Sequence, residues 1–272
     1  MNHNIKFTPV FFIVLLFGFV SCFSVQRMAR EFSEHKHERV VLVLPPSHLF
    51  YDYYPYNPDE KENHNTIYDI SESNFIKNVE DSLYFEYFME GLQERIERYN
   101  IDLYKLDSVD AFLSQEGKAY LFSIPQMELL EYKDIFAQEA VFYDELYVQE
   151  FERNNVVSNT WFEFNELSNS DGSPKILFSM QYMGDYFDGS FRMDWLSGEV
   201  TYQYTPYKID ISDVYNLAYF SGKQNGEYIV DYLFNLYLED MLGEDELEHY
   251  YRYDRYRNSA QRADDNRFII ME

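Results

Sequence analysis

Arg39-Val40-Val41-Leu42-Val43-Leu44-Pro45-Pro46 is a strand-length run, apolar from its second residue to its sixth and closed by two prolines. Apolar side chains at successive positions, not alternate ones, fit a strand buried on both faces, hence a central strand of a partly parallel sheet. The prolines end it because neither has an N–H to give to a ladder. Beyond them, residues 47–70 are rich in Tyr, Pro, Asn and Asp without periodicity, a length of irregular chain that marks a functional or disordered loop. A long helix is predicted next. Phe75, Ile76, Val79, Leu83, Phe88, Leu92, Ile96 and Tyr99 recur at three-to-four spacing behind a capping Ser71 or Ser73. Ile101–Leu106 reads as a strand, Val109–Leu113 as a short helix ended by Gly117, and Ala119–Ile124 as a strand stopped by Pro125. This alternation is the rhythm of an α/β domain.

The middle of the chain changes character. Val141–Glu152, Val156–Leu167, Ile176–Tyr186 and Phe191–Tyr204 alternate large apolar and polar residues, with turn signals at Asn154-Asn155, 169–174, Asp188-Gly189 and Ser197-Gly198. Successive antiparallel hairpins are therefore expected. Two helices, Ile211–Phe220 and Tyr228–Leu242, follow, with Gly222 and Gly226 in a turn between them. The fold class is mixed α/β (α+β in its second half), with a partly parallel sheet, antiparallel hairpins and packed helices. The domain itself is expected to run over 39–242. A mixed-charge Tyr/Arg-rich tail, 243–272, ends in the apolar Phe268-Ile269-Ile270-Met271, which either docks back on the domain or adds to a partner's sheet.

The amino-terminal segment differs from the rest. Lys6 precedes an apolar run from Val10 to Val20, too short to span comfortably a hydrocarbon core that takes about 20 apolar residues. A basic start, a compact apolar stretch and a small residue before the cut make a signal peptide, residues 1–21. Phe19-Val20-Ser21-Cys22 resembles the lipobox of bacterial lipoproteins, and this resemblance implies a diacylglyceryl group on Cys22 with cleavage just before it. Cys22 is the single cysteine, so no disulfide within the chain is possible, and acylation would remove a lone exposed thiol. An uncleaved anchor and an ordinary secretory signal are the competing readings. Residues 22–38 are then a tether. Phe23 follows the cysteine, not the aspartate that in some bacteria retains lipoproteins in the inner membrane. An outer-membrane, periplasm-facing position is therefore expected, with the cell surface as the other possibility.

The strand ending in Leu42-Val43-Leu44-Pro45-Pro46, together with Asp194-Trp195-Leu196-Ser197-Gly198-Glu199-Val200, is similar to envelope lipoproteins related to the curli-secretion CsgG and TolB N-terminal-like group. The resemblance implies an α/β architecture over residues 39–242 more than any role in secretion.

Charge narrows the partners. With 22 basic against 48 acidic residues, a net −26, the surface repels phosphate backbones, which excludes nucleic acid as a partner. Peripheral attraction to anionic headgroups fails for the same reason, so membrane attachment rests on the N-terminal lipid. Aromatic residues make up 19% of the chain, enough to build a core despite that charge.

No G-x-S-x-G elbow, phosphate-binding loop, dinucleotide fingerprint or H-E-x-x-H motif is present, so no catalytic residue is assigned and no cofactor is expected. His35-Lys36-His37 between Glu34 and Glu38 has metal-binding chemistry but reads as a solvated charge run. Asp185, Asp188 and Asp194 offer hard oxygen ligands without the spacing of a calcium loop, and hairpin turns explain them more simply. No metal site is assigned. The aromatic run Phe50, Tyr51, Tyr53, Tyr54 and Tyr56 is the candidate partner-binding loop, because rigid amphipathic rings bury much area at low entropic cost. Two functions follow. The first is a lipid-anchored, non-catalytic accessory or scaffold subunit that docks an envelope protein. The second is a glycan-binding or glycan-processing lipoprotein whose tyrosines, with Trp161 and Trp195, stack on sugars.

Overall fold

The computed structural model describes residues 24–35, 39–56, 68–115, 117–167, 174–243, 247, 249–263 and 267–271. β1 (Arg39–Leu44) is central, as its composition predicts. It pairs in parallel with β3 (Asp102–Tyr104) on one side and with the start of β4 (Lys118–Phe142) on the other, Val41 lying opposite both Leu103 and Tyr120. β2 (Phe50–Tyr54) pairs in parallel with a later part of β4, so β1 and β2 follow one another along the same edge of that strand. β5 (Glu145–Glu166), β6 (Lys175–Gly184) and β11 (Ile269–Met271) continue the sheet antiparallel, giving the order β11-β6-β5-β4-β1-β3. The chain is thus mixed α/β, with parallel central strands and antiparallel hairpins.

One face of the sheet buries Val41, Val43, Phe122, Leu129, Val156, Phe162 and Leu177 against a helical layer. That layer contains α1 (residues 24–34), α2 (Asp81–Glu97) and α4 (Ile211–Leu242). Among the described residues the opposite face is covered at its β1 end, where Phe112 of α3 (Val109–Leu113) packs on Val40 and Leu42, and at its far end, where Phe187 stacks on Phe151.

Several elements depart from the sequence reading. β4 does not stop at Pro125. It passes through a bulge between Ser123 and Gln126, a place where a missing N–H costs the ladder nothing, and runs on to Phe142. Its turn falls at Tyr143-Asp144, both at positive φ (50° and 67°) as a two-residue type I′ hairpin requires. Asn154-Asn155 and Asp188-Gly189 lie inside strands. Ser197-Gly198 does serve as a turn, joining β7 (Tyr186–Met193) to β8 (Val200–Tyr207), and the turn expected at 169–174 falls almost wholly outside the described residues, between β5 and β6.

The helix expected from Ser71 starts ten residues later, at Asp81. Before it come two short 3-10 turns: Ile70–Glu72 is capped by Asp69, and Ile76–Asn78 is entered through Glu131 of β4, whose buried side chain accepts the N–H groups of Asn74, Phe75 and Ile76 at 2.6–3.1 Å. The two closing helices are one, α4. Gly222 and Gly226 sit in its interior because α2 crosses there backbone to backbone.

The core also extends beyond 39–242. Val25, Met28, Ala29 and Phe32 of α1 are buried, so this segment is a docked helix and not a tether. Phe32 contacts the rings of Phe234 and Tyr253 at 5.1 Å. In the tail, β9 (Tyr251–Asp254) and β10 (Ser259–Arg262) form a hairpin clamped to α4. Tyr253 N–H donates to Asp231 Oδ1 at 2.9 Å, and the Asn235 amide bonds both backbone groups of Tyr251. Phe268 is buried, and β11 docks back on β6.

Candidate functional site

Strand alternation assigns one set of side chains to the uncovered sheet face. Across β2, β4, β5 and β6, one register row carries Phe50, Glu128, Asn159 and Met180; the next carries Asp52, Leu130, Val157 and Tyr182. Trp161 and Phe178 stand side by side in a neighbouring row, their rings 4.9 Å apart. No helix crosses this region among the described residues. Met180 is 59% exposed and Tyr182 71%; here β6 pairs with β5 on one side and has already run past β11, which reaches only Phe178, on the other.

A polar strip lies within these aromatics. Partial burial pushes the Glu128 carboxyl up to about 7, a hydrogen bond with Asp52 adds to this, and Asn159 Nδ2 donates to Glu128 Oε2 at 3.3 Å. The pair suits recognition of hydroxyl or amide donors. Beside it, the rings of Tyr54, Tyr56 and Tyr68 pack edge to face within 5.4–6.3 Å. Tyr68 donates its hydroxyl to Tyr56 at 2.8 Å.

The five aromatics of the expected loop do not share one surface. Phe50–Tyr54 is a strand, and its alternation sends Tyr51 and Tyr53 to the core side. Tyr51 Oη donates to Asp81 Oδ1 at 2.5 Å, which fixes the first residue of α2, and Tyr53 is only 7% exposed. Phe50 and Tyr54 face the open side, while Tyr56 follows the strand in the Tyr54–Tyr68 cluster. Replacing Tyr51 or Tyr53 would therefore test folding, not recognition. Trp161 lies on the open face, whereas Trp195 stands at the β7–β8 turn, 82% exposed. Sequence reasoning missed Asp52, Glu128, Asn159, Phe178, Met180 and Tyr182. The only signal available for them was the alternation of β4, β5 and β6.

Cys22 lies outside the described residues, as do Lys36, His37 and Glu38. Asp185 is not a metal ligand in waiting. It accepts from the Asn154 backbone and side chain, Lys208 and Ile209 at 2.7–3.1 Å, and these donors outweigh burial and hold its carboxyl below the usual carboxylate range. Asp188 sits in β7, and Asp194 caps the turn through Leu196 and Ser197 N–H, so the three do not converge. Among the described residues no group of three or more His, Cys, Asp or Glu side chains is placed to hold a metal. A cavity of about 270 Å³ lies between α4 and the carboxy-terminal segment. It is lined by Lys175, Glu239, His249 and the hydroxyl-bearing Tyr232 and Tyr250, whose phenol oxygens have no hydrogen-bond partner among the described residues. No described helix is long and apolar enough to cross a membrane.

No family model matches this chain, and no curated protein matches it either.

Proposed function

We propose that this protein is a non-catalytic docking subunit of the bacterial envelope, held at the outer membrane by a lipid on Cys22, and that its uncovered sheet face binds a protein partner. The exposure of Met180 and Tyr182, on the same sheet face as Trp161 and Phe178, is the observation that carries this reading, because contiguous exposed apolar side chains mark interaction surfaces. The rest of the face has the composition of an interface: large aromatic rings, Leu130 and Val157, and no lysine or arginine in the rows described above. A partner surface rich in N–H donors complements its Asp52–Glu128 strip. The docked α1 supports a close attachment. One residue separates Cys22 from Ser24, the first described residue of that helix, and two peptide units span at most roughly 7 Å.

Purification of the tagged protein from membranes tests this reading. Wild type should bring down a defined envelope protein, a Met180→Asp/Tyr182→Asp variant should lose it while staying folded and membrane-bound, and Cys22→Ala should release a soluble chain. Identical partners for wild type and the face variant would sink the docking role; membrane retention of Cys22→Ala would sink the lipid anchor. A second reading, glycan binding, is favoured by Trp161 lying on the same face as the Asp52–Glu128–Asn159 strip. It predicts retention on peptidoglycan or polysaccharide matrices that Trp161→Ala abolishes.

A further inference from the structure

The β4–β5 hairpin outruns the rest of the sheet. Beyond Lys133 and Asn154, neither strand has a neighbour in its own sheet, and the two project as an arm about 30 Å long, at 3.3 Å per residue. One side of the arm is covered by the β7–β8 hairpin, where Phe151 stacks on Phe187 at 4.3 Å and Tyr147 meets Phe191. No described residue outside the arm covers the other side. It is the outward continuation of the face that carries the helical layer, and its cross-strand pairs are Ile135 with Glu152, Ala137 with Glu150, Glu139 with Val148 and Val141 with Leu146. The four large apolar side chains are 47–65% exposed. Lys133, at the base, pairs with Glu152 at 2.9 Å. Glu139 and Glu150 have no cationic partner among the described residues.

We propose that this bare face docks an amphipathic helix of a partner protein, one with an apolar stripe flanked by lysines or arginines, laid along the arm as an added member of the helical layer. Continuity supports the helix: the same face of the same two strands already buries Leu129 and Val156 in the core shared with α2 and α4. Length supports it as well, since about 18 residues of helix span 27 Å. Charge selects the flanks. A second copy of this chain would bring another Glu139 and Glu150 to an already acidic face, and an anionic bilayer would be repelled, whereas basic flanks pair with both carboxylates. This site is distinct from the open sheet face, and either can fail without the other.

The probe is a fluorescent 18-residue peptide with leucines at i, i+3, i+4 and i+7 spacing and lysines elsewhere, titrated against the full chain by anisotropy. The stripe peptide should bind saturably at 1:1, and the same composition with leucines scrambled around the helix should bind at least tenfold more weakly. Leu146→Asp should weaken the stripe peptide at least tenfold. Glu139→Lys with Glu150→Lys should do the same and confer binding on a peptide carrying Glu in place of Lys. Glu86→Lys with Glu90→Lys, exposed on α2, is the charge control and should change little. Circular dichroism verifies that each variant folds. Equal binding of the scrambled peptide, equal loss in the control pair, or indifference to the arm substitutions would overturn the proposal. Self-association, or binding to phosphatidylethanolamine–phosphatidylglycerol vesicles, that Leu146→Asp abolishes would assign the face to another occupant and overturn it too.

Discussion

Gly222 of α4 lies directly against the carbonyl oxygen of Phe88 in α2, so closely that a Cβ on Gly222 would overlap it. Gly91 makes the reciprocal approach to the Tyr219 carbonyl, and at Gly226 a Cβ would come within 2.9 Å of both Leu92 O and Arg95 Cβ. The two longest described helices meet through backbone here, which lets a glycine-containing segment remain helical despite an intrinsic cost of about 1 kcal/mol per glycine relative to alanine.

Gly222→Ala should therefore destabilise the fold, although alanine is the better helix former. Overpacking of this kind costs typically 1–3 kcal/mol, and a backbone contact has less room to relax than a side chain. Urea denaturation should show a lowered midpoint with an unchanged slope. A more stable variant would mean that the helices separate easily at this crossing.

Glu131→Ala should be more damaging than its single carboxylate suggests. Three N–H groups, of Asn74, Phe75 and Ile76, lose their acceptor at once, and each buried orphan costs about 1–3 kcal/mol. Loss of hydrogen-exchange protection at 74–76, ahead of α2 itself, is the expected local signature. Glu131→Gln retains an acceptor oxygen and should recover part of the stability.

Stability should fall as pH rises from about 4 to about 7. Burial pushes the Asp231 carboxyl up to about 7 against the pull of the Tyr253 N–H and Arg267, and partial burial and Asp52 do the same for Glu128. Both folded values lie above those of an unfolded chain, so the native state holds more protons in that window, and the stability they contribute is complete below it. Glu128→Gln should flatten this slope in thermal melts across pH 4.5–8. At lower pH the sign reverses, because Asp134, Asp185 and Asp210 carry depressed values and must be protonated.

Phe32→Ala should cost about 3–5 kcal/mol, the range for a fully buried phenylalanine. It removes ring contacts to Phe234 and Tyr253 and the platform on which the Arg39 guanidinium rests at 4.8 Å. Thermal unfolding with matched hydrogen exchange over 24–34 checks this. If residues 24–34 were a tether, the substitution would be silent.

The carboxyl strip of the candidate site was not legible in advance, for a definite reason. Asp52 and Glu128 meet because β2 pairs with β4 in parallel, and neither strand carries a mark of its partner. Tyr51 and Tyr53 were misassigned to a surface loop because a Tyr/Asp alternation beside prolines has the composition of a loop as much as of a half-buried strand. The start of α2 was read ten residues early because Phe75, Ile76 and Val79 keep helical spacing while Glu131, distant in sequence, satisfies their backbone instead.

By itself, the sequence determined that Arg39–Leu44 is a central strand, that long amphipathic helices flank it, and that the surface is acidic. Those properties follow from side-chain periodicity and charge, which are local. Only the tertiary structure decided that α1 and the carboxy-terminal hairpin belong to the core, that Gly222 and Gly226 stay helical, and that part of one sheet face and one side of the β4–β5 arm are left uncovered by the described residues. Alternation says which residues share a face. What covers that face depends on where distant segments return, and that is set by the packing of the whole chain.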